Sequence, residues 1–106
     1  MHRPLAHTDV FQAVADPTRR AILARLRRGR AAASELAEGF PISRPAVSKH
    51  LGVLRRARLV REHREGRHRI YELSAGPIRD IARWTESYRD FWEANLASLK
   101  QHLERR

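Results

Sequence analysis

The chain of 106 residues contains no cysteine, and no apolar stretch in it approaches the roughly 18 residues that cross a bilayer. The first absence excludes disulfides, dithiol redox chemistry and thiolate metal ligands such as those of a zinc ribbon. The N-terminus, Met1-His2-Arg3-Pro4, also lacks an apolar signal region, so the expectation is a cytoplasmic protein with no membrane association. Acidic residues are few, 12 against 22 Lys and Arg, for a formal net charge of +10. Five glycines and five prolines are too few for a low-complexity chain, and 42% hydrophobic residues can fill one modest core but hardly two. A single domain over residues 1–106 is expected.

What the chain has in excess is positive charge, and it is unevenly placed. Residues 1–73 hold sixteen Lys/Arg against seven Asp/Glu, whereas residues 74–106 hold six against five. A protein this basic is usually held against a polyanion. Confining the excess to one part of the chain is the pattern of a reading head joined to a near-neutral assembly segment.

Periodicity and capping residues divide the chain. A short helix is expected at about Thr8 to Ala15, with Val10, Phe11 and Val14 on its apolar side. Asp16-Pro17 reads as N-cap and first helical residue of a helix to about Arg28, with Ile22, Leu23 and Leu26 inward and Gly29 just past its end. Ser34 is the expected cap of a third helix through Glu38, which Gly39-Phe40-Pro41 stops. Ser43 caps a fourth, reaching about Ala57, with Pro45 inside the first turn. Two β-rich arms, Leu59 to Arg64 and His68 to Leu73, flank the turn Glu65-Gly66-Arg67 as a hairpin. From Ser74 and Pro77 a last helix is expected to run to Glu104, about 40 Å long. Ile81, Tyr88, Trp92, Leu96, Leu99 and Leu103 fall along one side of it.

The resulting fold class is mainly α with a small β-hairpin. In this order the elements make a winged helix-turn-helix, with the helix-turn-helix at about 34–57, the wing at about 59–73 and a long C-terminal dimerisation helix at about 77–104. The apolar side of the last helix, with Val10, Phe11 and Val14 beside it, is the expected homodimer interface.

In the fourth helix Val47, Leu51 and Leu54 form the inner stripe, so the opposite arc faces out. That arc offers Ser43, Arg44, Pro45, Ser48, Lys49, Arg55 and Arg56, around the low surface of Gly52, with His50 alongside. Arg, Lys and Ser can bond base edges or phosphates of double-stranded DNA. Recognition helices read from their N-terminal turns, which assigns Ser43, Arg44, Ser48 and Lys49 to bases and Arg55 and Arg56 to phosphates. Arg64, Arg67, His68 and Arg69 cluster at the hairpin tip, where backbone phosphate or a minor groove is the natural partner. A solvated basic helix face is the plain alternative, weakened by the turn before it and the wing after it.

Other chemistry finds little support. His63 and His68 flank the turn, but two imidazoles without a carboxylate or thiolate cluster make a poor metal site, and no metal or other cofactor is expected. There is no Gly-rich phosphate loop, nucleophile elbow, paired carboxylate site or H-E-x-x-H helix, so no enzyme is expected. Trp84, Tyr88, Phe91 and Trp92 fit a core or dimer seam, with a small-molecule pocket as the alternative.

Four segments resemble the ArsR family of bacterial repressors: Ala15-Asp16-Pro17-Thr18-Arg19-Arg20, Ser34-Glu35-Leu36-Ala37, Ser43-Arg44-Pro45-Ala46-Val47-Ser48-Lys49-His50-Leu51 and Leu54-Arg55-Arg56-Ala57. The resemblance spans about Val10 to Leu73. It implies a homodimer joined through terminal helices, a DNA-reading fourth helix and a β-wing. The family's metal motifs, a cysteine motif in the third helix or paired Asp/His and His/Glu motifs in the last, cannot be laid onto this sequence. The chain is thus similar to the metal-independent branch, often autorepressors. Arg58 stands where the family usually has Gly after the recognition helix, which gives the expectation of a differently built helix end. A ligand-responsive repressor and a winged-helix module for RNA or an acidic protein stay open as alternatives. The residues name no inducer.

Overall fold

The computed structural model describes residues 9–105. Helix α1 (Val10–Ala13) is capped by Asp9, whose carboxylate accepts the N–H of Phe11 at 2.7 Å. The Thr8 start expected for this helix lies outside the described residues. Helix α2 (Pro17–Arg27) begins as its sequence dictates: Asp16 accepts the N–H of Arg19 at 3.0 Å, and Pro17 occupies the first turn. Its inward residues are Ile22, Leu23 and Leu26.

A two-residue strand, β1 (Ala31–Ala32), follows, then α3 (Ala33–Glu38) and α4 (Arg44–Arg56). The cap expected at Ser34 is corrected: Ala32 is the N-cap, and the Glu35 carboxylate reaches back to accept its N–H at 2.8 Å. Ser34 therefore sits inside the first turn of α3. Ser43 caps α4 as expected, accepting the N–H of Ala46 at 3.2 Å.

Strands β2 (Val60–Glu65) and β3 (His68–Leu73) form the hairpin, and β1 adds to it in the antiparallel order β1-β3-β2. Ala31 lies opposite Tyr71 and Ala32 opposite Ile70, while β2 and β3 run in register from Val60 opposite Leu73 to Glu65 opposite His68. The turn is Gly66-Arg67, with Gly66 at φ 62°, a geometry that favours glycine.

One core joins these elements. Ile22, Leu36, Val47, Leu51, Leu54 and Leu59 are its fully buried large residues, contributed by α2, α3, α4 and the approach to β2. Truncating a buried Leu or Ile of this kind to alanine typically costs about 2–5 kcal/mol. Tyr71 closes the sheet side: its ring is buried and its hydroxyl donates to Glu62 at 2.6 Å. Burial and the Glu62 carboxylate both push the phenol above its ordinary range.

The C-terminal part is helical but interrupted once. It divides into α5 (Ile78–Glu86) and α6 (Arg89–Glu104), with Ser87 and Tyr88 between them. The Thr85 and Ser87 hydroxyls donate to the carbonyls of Ala82 and Trp84, at 3.0 and 2.6 Å, and compete with the helix for those acceptors. Helix α5 is tied back to α1 by Phe11 against Trp84, edge to face at 5.9 Å. The molecule is long, 64 × 37 × 21 Å, with a radius of gyration of 18.4 Å. A compact chain of this length has about 13 Å. The difference is the α6 arm standing away from the core.

Candidate nucleic-acid interface

The two basic segments read from the sequence meet in space. Arg44 is the first residue of α4, while Arg64 on β2, Arg67 in the turn, and His68 and Arg69 on β3 stand at the wing tip. Together with Ala32, Ala33 and Ser34 they line one open cleft of about 220 Å³. The lining thus combines three small residues around the start of α3 with four arginines and a histidine.

On α4 the stripe Val47, Leu51 and Leu54 is buried, so Ser43, Arg44, Pro45, Ser48, Lys49, Arg55 and Arg56 are all exposed on the other side. Arg56 folds over Gly52: a Cβ added at Gly52 would lie 3.4 Å from its Nη1. The glycine keeps this surface low and lets a cation lie against the helix.

His50 is placed differently from its neighbours. Its Nδ1 lies 3.4 Å from Arg19 Nη1 and 3.9 Å from Asp16 Oδ2, and the side chain is 22% exposed. It faces the α1–α2 joint and not the outward arc. Arg19 is itself anchored there, donating to the carbonyls of Ala13 at 2.6 Å and Gln12 at 3.2 Å. Arg20 donates to Val14 at 2.8 Å and Ala15 at 3.2 Å. These two arginines close the C-terminal end of α1. The Arg19 backbone N–H also holds the Asp16 carboxyl below its ordinary value.

Within the wing, Arg69 lies 3.5 Å from Glu62, so its charge is partly engaged. His63 and His68 are not opposed across the hairpin: His63 pairs with Ile70 and His68 with Glu65. The His63 Nε2 sits 3.0 Å from Glu65 Oε2. Among the described residues no group of three or more His, Cys, Asp or Glu is placed to hold a metal ion.

Sequence reasoning did not identify Ser34 as part of the cleft, or Arg30 as a partner of Glu65, which it holds at 2.6 and 3.2 Å. That pair spans 35 residues, and neither local spacing nor composition marks it.

The helix end after α4 corrects one expectation. Arg58 adopts φ 64°, the left-handed position, and donates to Arg55 at 2.9 Å, while Leu59 donates to Leu54 at 2.9 Å. This is the ordinary Schellman ending, with arginine where glycine is usual.

Of the surfaces read as assembly contacts, Val10 and Val14 are half-buried against the core, and Ile81 is half-buried in a groove it lines with Val14. Phe11, Tyr88, Trp92, Leu96, Leu99 and Leu103 remain exposed, from 39% to 62%.

The helix-turn-helix geometry agrees with comparison to known proteins. A helix-turn-helix domain model matches residues 14–63. The transcriptional repressor SdpR of Bacillus subtilis is 41% identical over 76 residues, covering 72% of this chain and 84% of that protein. The HTH-type transcriptional regulator Rv2034 of Mycobacterium tuberculosis is 46% identical over 94 residues, 89% of this chain and 85% of its own. Among solved structures, an ArsR family transcriptional regulator, RHA00566, superposes with a TM-score of 0.70 at 41% identity, covering 78% of this chain and 91% of that one. The chain belongs to the ArsR family. An ArsR-like transcriptional regulator from Rhodococcus sp. RHA1 gives a TM-score of 0.66 at 38% identity, covering 87% of each chain. This ArsR protein is therefore a transcriptional regulator with a DNA-binding helix-turn-helix, and not an enzyme. No helix among its described residues is long and apolar enough to cross a membrane.

Proposed function

We propose that the protein acts in the cytoplasm as a homodimeric repressor that binds an inverted repeat in double-stranded DNA without a metal cofactor. The observation that carries this reading is the cleft in which Arg44 of α4 meets Arg64, Arg67 and Arg69 of the wing. Cations from two elements lining one cleft suit a helix laid in the major groove and a hairpin against the neighbouring backbone. Ser43, Arg44, Ser48 and Lys49 take the base edges, with Pro45 facing the DNA among them, Arg55 and Arg56 take the phosphates beside the helix, and Arg64, Arg67, His68 and Arg69 the phosphates under the wing. His50 contributes from behind, by seating α4 on Asp16 and Arg19.

Dimerisation is supported by the exposed stripe Trp92, Leu96, Leu99 and Leu103 at helical spacing on α6, with Tyr88 and Phe11 adding to it. Apolar surface of this extent on a small protein is ordinarily covered. A second copy covers it and supplies the second recognition helix of a symmetric reader. Independence of metal is supported by the donor set: there is no cysteine, and the two wing histidines lie diagonally, one already against Glu65.

Selecting bound sequences from a random duplex library, followed by sedimentation of the protein with the selected duplex, tests the proposal. An inverted repeat bound by two protomers is expected, with affinity unmoved by zinc, nickel or a chelator. Equal retention of RNA and duplex DNA with no sequence enrichment would reject it.

A further inference from the structure

Glu65 is a carboxylate at the worst place for a DNA-binding wing. It is the last residue of β2, beside the Gly66-Arg67 turn and opposite His68, where phosphates would approach. Left to itself it would repel them. It is instead held by a fork of two hydrogen bonds from Arg30, Nη1 to Oε2 at 2.6 Å and Nη2 to Oε1 at 3.2 Å, with His63 Nε2 on the same Oε2 at 3.0 Å. The hydrogen bond with His63 and then that from Arg30 hold its carboxyl below its ordinary value, and the charges of both add to this.

The placement of Arg30 matters more than its charge. It directly precedes β1, which is the edge of the sheet remote from β2, so its guanidinium ties the outer strand of the wing to the body across β3. The sheet is three-stranded only where β1 pairs with Ile70 and Tyr71; toward the tip the wing continues as a two-stranded ribbon. Such ribbons twist and bend readily. A bidentate arginine–carboxylate fork has the geometry in which a surface pair fixes direction.

We infer that Arg30 and Glu65 form a brace that sets the angle of the wing, making Arg30 a positioning residue for DNA binding and Glu65 a carboxylate that strengthens it. The inference rests on the proposed role of the wing at DNA, and its test separates the two. The brace orders Gly66-Arg67 before DNA arrives, so that the tip cations meet phosphate without first being immobilised.

The experiment uses the full chain and a 30-base-pair random-sequence duplex as probe, with amide hydrogen exchange of the free protein as a second readout. Arg30→Ala and Glu65→Ala should each speed exchange at the wing tip and weaken duplex binding by about two- to fivefold, with unchanged helix content. The Glu65→Ala result is the discriminating one, because removing a negative charge beside a polyanion would on charge alone tighten binding. The exchanged pair Arg30→Glu with Glu65→Arg should restore both readouts to within about twofold, as its net charge equals that of the natural protein. Tighter binding by Glu65→Ala, or wing-tip exchange unchanged in both single variants, overturns the brace. A doubly exchanged protein as weak as Arg30→Ala also overturns it, since Arg30 would then be a phosphate contact. Failure of the natural protein to bind the duplex, with the exchange changes intact, would instead remove the wing's role at DNA.

Discussion

Leu59 donates its backbone N–H to the carbonyl of Leu54 at 2.9 Å, and both side chains are fully buried. The bond turns the chain from the recognition helix into the wing, and it forces Arg58 between them to φ 64°. Left-handed geometry costs a non-glycine residue about 1–2 kcal/mol, part of which glycine returns through its freer unfolded chain. Arg58→Gly should therefore stabilise the protein by about 0.5–1 kcal/mol. Urea unfolding at constant protein concentration reads this directly. A loss of stability would mean that the Arg58 side chain has a structural role beyond its exposed position.

Helix and wing should divide the work of recognition. Arg44→Ala is expected to relax preference at one base pair in each half-site, at about 1–3 kcal/mol for each base-edge bond removed. Arg67→Ala should weaken all duplexes alike and make the salt dependence shallower by about one unit for each phosphate no longer neutralised. Titrations on matched and mismatched duplexes at several salt concentrations measure both. A change of preferred sequence in Arg67→Ala, with none in Arg44→Ala, would reverse the assignment.

Assembly should fail through the α6 stripe. Leu96 and Leu99 are 62% and 53% exposed, so glutamate at either position leaves the protomer core untouched. Leu96→Glu and Leu99→Glu should yield folded monomers in sedimentation, with operator affinity reduced in step. A variant that stays dimeric at micromolar concentration would move the interface away from this stripe.

The acid limb of stability should depend on Asp16. Its carboxyl is held below its ordinary value of 3.8, chiefly by the Arg19 backbone N–H and further by the charges of His50 and Arg19. A depressed carboxylate contributes stability that is complete above the unfolded value and is lost as pH falls through the lower folded value. Asp16→Ala should thus lower Tm at pH 7, with the gap to the natural protein closing as pH falls below about 4. Thermal unfolding between pH 2 and 7 follows the difference. A gap that is constant over this range would assign the effect to packing.

Local rules served well wherever a single residue decides the structure. Asp16-Pro17, Ser43 and Gly66 each solve one backbone problem, and Val47, Leu51 and Leu54 repeat at the period of the helix that buries them. The elements that escaped such rules depend on distant partners. Strand β1 is two alanines with no β-preference of their own, and it exists because Ile70 and Tyr71 offer an open edge. Ala32 displaces Ser34 as a cap because Glu35 reaches back to its N–H. The break at Ser87 and Tyr88 arises from hydroxyls competing for carbonyls inside an otherwise continuous apolar pattern. In the candidate site, the exposed face of α4 was legible from period alone. The inward turn of His50 was not, because it flanks the buried stripe and its partners come from Asp16 and Arg19.

The closing of α1 by Arg19 and Arg20 has a consequence for genetics. Four successive carbonyls, from Gln12 to Ala15, are bonded by these two side chains, and a four-residue helix cannot persist alone. Substitutions at Arg19 or Arg20 will release α1 and with it the seat of Phe11 against Trp84. A screen for colonies that have lost repression will collect them beside substitutions at Arg44, and by phenotype the two groups will be indistinguishable. Cellular abundance will sort them: the Arg44 alleles will accumulate to normal levels, whereas the Arg19 and Arg20 alleles will be cleared by proteases.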